Sequence, residues 1–148
     1  MVFSTTTGNG TNRKVLCGDI MNITIKTVPN EEIKKRAGFT GADWWFEANG
    51  DLQIRIAQMS NPAYEKALAI HEFIEALHCQ LQGVTVSQVD EFDTKFEKEH
   101  PENHGIEAGD APNCPYAKPH SIATAPERVY IAEAGVCWSE YDIEVGSK

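Results

Sequence analysis

Four side chains able to ligate a metal or move a proton fall within the stretch AIHEFIEALHC, residues 69–79: His71, Glu72, Glu75 and His78. In a helix, His71 and Glu75 stand at i and i+4, one turn apart on the same face, so both can reach one cation above that face. Imidazole nitrogen and carboxylate oxygen are zinc ligands, and a set with two carboxylates makes manganese or iron equally good occupants. Glu72 lies about 100° round the axis, next to such a site but badly aimed as a ligand. His78 continues the polar row and by itself reads as a polar-face residue. Glu75-x-x-His78 also matches half of a di-iron carboxylate bundle, which requires a second copy of the motif on further long helices. The four long helices of such a bundle are not visible in the sequence. Cys79 adjoins His78 but points about 100° away from it in a helix, which argues against a Cys-His nucleophile.

These groups need a rigid helix, and the flanking residues provide its signals. Ser60 or Asn61 caps it, Pro62 sits in the first turn and Gly83 follows its end, which predicts a helix over 62–81. Ala67, Ile70, Ile74, Leu77 and Leu81 recur at three and four and form the expected core stripe, with His71, Glu75 and His78 as a second stripe beside it. Immediately upstream, residues 43–57 read as a hairpin whose β-prone runs flank Asn49-Gly50, a pair suited to a type I′ turn. Leu52, Ile54 and Ile56 then share a buried face, and of the adjacent Trp44 and Trp45 one belongs to the core and the other to an exposed contact surface.

The remaining chain must enclose this pair of elements. Met21, Ile23 and Ile25 alternate with polar residues, predicting a strand with one face in the core. A short helix follows, with Asn30 as N-cap, acids in its first turn and Gly38 beyond its end. A third helix opens at Ser87, turns Val89, Phe92 and Phe96 inward and stops at Pro101. The Pro-, Gly- and Asn-rich run 101–118 is a long connection of the kind usually tied to function or disorder. Residues 119–135 read as a last helix that Pro126 either kinks or restarts, with Thr124 as a fresh cap, and Trp138 and Tyr141 pack the C-terminus onto the body.

The expected architecture is a flexible arm over 1–13 and one α+β domain over 14–148, a small antiparallel sheet packed on a long central helix with two or three further helices. With 22 acidic against 13 basic residues, the net charge of −9 disfavours nucleic acid and anionic membranes as partners. The first residues lack the pattern of a secretory leader, and no run is apolar enough for a membrane span, so the expectation is a cytoplasmic protein. Its scattered cysteines, Cys17, Cys79, Cys114 and Cys137, include no Cys-x-x-Cys pair and read as reduced thiols.

HEFIE resembles the His-Glu-x-x-His helix of zincin metallopeptidases, and a hairpin directly before that helix is similar to the small zincin core. The resemblance covers residues 43–79. It implies a zincin-like hydrolase with zinc held by His71 and Glu75, and with Glu72 as the catalytic base. Glu75 replaces the second histidine of that motif. A carboxylate there lowers the net charge of the site and makes bound water harder to ionise. The wider layout also resembles a group of small phage and prophage proteins with a His-Glu-x-x-Glu helix, a Gly-Asp and Pro-Tyr segment and a histidine before the last helix. Here those are Gly109-Asp110, Pro115-Tyr116 and His120. That likeness implies the host cytoplasm or the virion as the location.

His120 is the chosen third ligand, because it opens a helix that can cross the first one; His104, His100 and Asp110 are the alternatives. Glu127, two turns further on, either orients a ligand or binds the ion itself. Two function classes follow: a metal-dependent peptidase acting on protein or peptide, or a phage accessory or virion protein working by protein–protein contact, with its metal structural or absent.

Overall fold

The computed structural model describes residues 21–37, 41–100 and 107–147. The expected arm over 1–13, and with it Cys17, Gly38, Pro101 and His104, lies outside the described residues. The chain forms β1 (Ile23–Val28), α1 (Asn30–Ala37), β2 (Ala42–Phe46), β3 (Leu52–Ala57), α2 (Pro62–Gln82) and α3 (Val86–Glu99). A short 3-10 turn (Ala108–Asp110), α4 (Ala117–Glu133) and α5 (Trp138–Val145) complete it. The class is α+β, as the sequence implies.

The sheet has the order β1-β3-β2 and is mixed. β2 and β3 form the expected antiparallel hairpin, pairing Trp44 with Ile54. β1 instead runs parallel to β3, pairing Ile25 with Ile54. Parallel neighbours need a long crossover, and the segment carrying α1 and β2 between β1 and β3 provides it. The hairpin turn also differs in type. Gly50 N–H bonds the Glu47 carbonyl and Glu47 N–H bonds the Asp51 carbonyl, so the loop is one residue longer than a type I′ connection. Gly50 then takes the single left-handed step of that loop, at φ 93°.

α2 is the centre of the domain, packed on β2 and β3 on one side and along α4 on the other. Its ends are as the sequence predicts: Asn61 accepts from Ala63 N–H, and Gly83 closes the helix at φ 73°. Its buried face is not the predicted one. Tyr64, Ala67, Leu68, His71, Glu75, Ala76 and Cys79 are buried, whereas Ile70, Ile74 and Leu77 are only partly so and Leu81 is 79 % exposed. The polar stripe thus occupies the middle of the interior, because α4 crosses the face that a two-layer arrangement would leave to solvent.

Other local expectations shift for similar reasons. β1 is an outer strand and α2 lies over the other two, so Ile23 and Ile25 remain exposed although their strand forms. Asn30 does not cap α1; its Oδ1 is buried without a hydrogen-bond partner among the described residues. Thr85 caps α3 in place of Ser87, through a reciprocal box with Gln88. α4 runs through Pro126 as one helix, and Thr124 starts no new segment; its hydroxyl donates to the His120 carbonyl at 3.0 Å. Trp44 is the core tryptophan, while Trp45 is partly exposed beneath Arg55.

The rotated face of α2 has a direct consequence for stability. Leu68→Ala, at a buried site, should lower unfolding free energy by about 2–5 kcal/mol, and Leu81→Ala by less than about 0.5 kcal/mol, as read by urea denaturation. Equal losses would mean that the predicted stripe, not the observed one, faces the core.

Candidate metal centre

Three ligand atoms converge between α2 and α4. His71 Nε2 lies 3.3 Å from Glu75 Oε2 and 3.1 Å from His120 Nδ1, and the last two are 3.1 Å apart. All three residues are buried. His71 and Glu75 come from successive turns of α2, and His120 from the first turn of α4, where the helix crosses above them. The structure therefore brings together the three residues singled out as ligands.

The outer atoms of each ligand are held in place. His71 Nδ1 is 2.8 Å from Glu127 Oε2, and Glu127 in turn accepts a hydrogen bond from the Tyr141 hydroxyl. His120 Nε2 is 3.1 Å from Glu107 Oε2 and 3.7 Å from Asp110 Oδ1. Trp44 Nε1 donates to Glu75 Oε1 at 3.2 Å. When the outer nitrogens, His71 Nδ1 facing Glu127 and His120 Nε2 facing Glu107, carry the ring protons, the inner His71 Nε2 and His120 Nδ1 are lone-pair atoms. In that tautomer two imidazole lone pairs and a carboxylate oxygen face one another; without a cation the inner nitrogens instead carry protons and donate to Glu75 Oε2.

This donor set fits a divalent cation. Metal–ligand bonds of about 2.0–2.1 Å in a tetrahedral site put neighbouring ligand atoms about 3.3–3.4 Å apart, close to the observed triangle. Glu127 is engaged by His71 and stands as its orienting partner. Asp110 lies on the outer side of the His120 ring, away from the triangle. His100 donates from Nδ1 to the Phe96 carbonyl at 2.8 Å and stacks on the Phe96 ring, so it too stands outside the ligand set.

Without a cation, protons must fill the triangle, and the electrostatics reflect that. Burial opposes protonation of His71, but Glu127 and Glu75 outweigh it and hold its pKa well above the usual value. His120 is likewise opposed by burial, yet Glu107 and Glu75 bring it up to about 9. Burial would raise Glu75, but hydrogen bonds from His120 and His71 bring it down to about 2. Burial, reinforced by the Glu75 charge, raises Glu72 well above the ordinary carboxylate range.

The centre opens into a cleft of about 500 Å³. β2 forms one side through Ala42–Trp44, and α3 faces it through Val86, Val89, Asp93 and Phe96. Glu72 lines this cleft beside the triangle. His78 takes no part in the centre. Cys79 is buried, and burial pushes its thiol far up, which removes it as a nucleophile.

Glu107, Trp44 and Tyr141 complete the centre in roles that escape sequence reasoning, since none stands at a regular spacing from a ligand, and Gly109 enters there only as part of the Gly109-Asp110 segment of a family likeness. Gly109 is needed for clearance: a Cβ there would fall 2.3 Å from His120 Cγ. A glycine beside an acid in an irregular connection was the only signal available. No protein-family model, curated protein or solved structure matches the chain.

Two outcomes follow. Gly109→Ala must push the His120 ring aside, so zinc affinity measured against a chromophoric chelator should fall by roughly 10–100-fold, as for other lost supports of a metal ligand. In chelator-treated protein, the raised histidine pKa values add stability that is fully present below the ordinary 6.5 and is lost as pH rises through about 9 for His120. Melting temperature should therefore decline across that window, and zinc should abolish the decline; a flat profile in chelator would contradict the proton-filled triangle.

Proposed function

We propose that this protein is a metal-dependent hydrolase acting on peptide bonds, with His71, Glu75 and His120 holding one divalent cation and Glu72 serving as general base. The observation that carries the reading is the triangle of three atoms able to ligate one ion, each of their residues oriented by its own partner and all three lining a cleft. A buried structural metal needs no such opening; a catalytic one keeps a position free for water or substrate. Two nitrogens and a single carboxylate favour zinc over manganese or iron, which suit oxygen-richer sets.

A cation held there supplies Lewis acidity, polarising the scissile carbonyl and making water easier to ionise. The protein's own residues do the rest. Glu72 takes a proton from the attacking water and passes it to the leaving amine; its raised pKa makes it a stronger base than an ordinary carboxylate. Glu127 and Glu107 keep the histidine N–H groups pointed outward, and Trp44 fixes which oxygen of Glu75 faces the triangle. The cleft between β2 and α3 gives room for a short run of polypeptide.

The roles of His71 and Glu72 separate experimentally. His71→Ala should abolish metal binding and remove the stabilisation that metal confers. Glu72→Gln should leave metal content and melting temperature nearly unchanged while lowering hydrolysis by roughly 10²–10⁴-fold. Untagged wild-type protein that contains no metal and melts at one temperature in zinc, manganese or EDTA would sink the proposal.

A further inference from the structure

The wall of the cleft facing β2 has a chemistry of its own. Asp93 and Glu97 stand one turn apart on α3 and both line the cleft, as do the apolar Val86, Val89 and Phe96 of the same helix. No lysine or arginine lines the cleft among the described residues. The Asp93 Oδ1 atom accepts from the Tyr116 hydroxyl at 2.5 Å, while its second oxygen and the Glu97 carboxylate have no hydrogen-bond or ion-pair partner among the described residues. The Tyr116 ring in turn stands 6.4 Å from the ring of His120, edge to face. Asp93 is therefore one aromatic side chain away from the candidate centre.

We infer that this wall is the subsite for a lysine or arginine side chain of the peptide, adjacent to the bond to be cleaved. The inference rests on the hydrolase reading for its placement and goes beyond it in naming the substrate class. A long cationic side chain matches both halves of the wall. Its methylene stem packs on Val89 and Phe96, and its charged head reaches the two carboxylates. Guanidinium suits paired carboxylates best, because its donors form a planar fork. Burial holds Asp93 and Glu97 up to about 7 in the absence of a cation, with the Tyr116 hydrogen bond opposing the rise at Asp93 and the Asp93 charge adding to it at Glu97. A bound cation relieves that strain, whereas an acidic side chain adds to it. The net charge of −9 attracts such peptides from a distance as well.

The test is calorimetric binding of short peptides, blocked at both ends and identical except for one residue: arginine, its neutral isostere citrulline, or glutamate. With the full chain, the arginine peptide should bind at least about tenfold tighter than the citrulline peptide, and the glutamate peptide should bind weakest. Glu97→Gln and Asp93→Asn should each reduce that preference, with circular dichroism showing that both variants remain folded. Equal binding of the arginine and citrulline peptides, or an undiminished preference in both variants, would overturn the inference. So would a free arginine amide that binds as tightly as the whole peptide. The same titration on His71→Ala separates the two readings. An arginine preference there, without metal or cleavage, supports the subsite while hydrolysis fails. Zinc-loaded wild type that cleaves arginine and citrulline peptides equally retains the hydrolase and refutes the subsite.

Discussion

Two imidazole lone pairs and a carboxylate oxygen turned toward one point repel each other unless something positive lies between them. In this protein that something is either protons or a cation, and the rest of the architecture is built around the requirement. His71, Glu75 and His120 are buried, with only a small part of each facing the cleft. Their outer atoms are already committed to Glu127, Trp44 and Glu107, so the rings cannot turn away. The arrangement therefore fixes both what the centre lacks and where it lacks it.

Enclosing such a group dictates the layering. A helix with sheet on one side only would present His71 and Glu75 to solvent, where they would be ordinary surface residues. Here α4 lies along the second face of α2, and α5 backs it with Tyr141 hydrogen-bonded to Glu127. The turn at Ala108–Asp110 brings Glu107 against His120, and Gly109 allows the backbone to pass over the ring. Carboxylates accumulate around the centre as a consequence: Glu72, Glu107 and Glu127 surround it, and Asp93 and Glu97 continue the negative field along α3. A single electrostatic character thus runs from the centre to the wall of the cleft.

The outer surface of the sheet follows different rules. β1 is joined in parallel at the margin, where the Thr27 hydroxyl donates to Glu65 of α2 but Ile23 and Ile25 stay exposed. Burial along α2 follows which of its faces the sheet and α4 cover more closely than it follows hydrophobicity. Glu75 is buried and Leu81 is not, although they stand on the same helix. No described helix is long and apolar enough to cross a membrane.

What the sequence determined by itself is local. Asn61, Pro62 and Gly83 delimit α2 because cap and terminator chemistry acts within a few residues, and Leu52, Ile54 and Ile56 declare a half-buried strand by their period. The i,i+4 placement of His71 and Glu75 is likewise a property of one helix. Which face of α2 is buried was beyond periodicity, since two stripes lie side by side and only the position of α4 selects between them. The parallel pairing of β1 was also settled by a neighbour distant in sequence, since its partner β3 lies beyond α1 and β2. The orienting partners were the least legible of all. Glu107, Trp44 and Tyr141 lie far apart in the chain, and a hydrogen bond to a ligand or to its orienting partner leaves no spacing that could announce it. Tertiary packing alone brings them within 3 Å or so of the atoms they hold, because directional contacts between remote residues depend on how elements cross and not on what lies next to them in sequence.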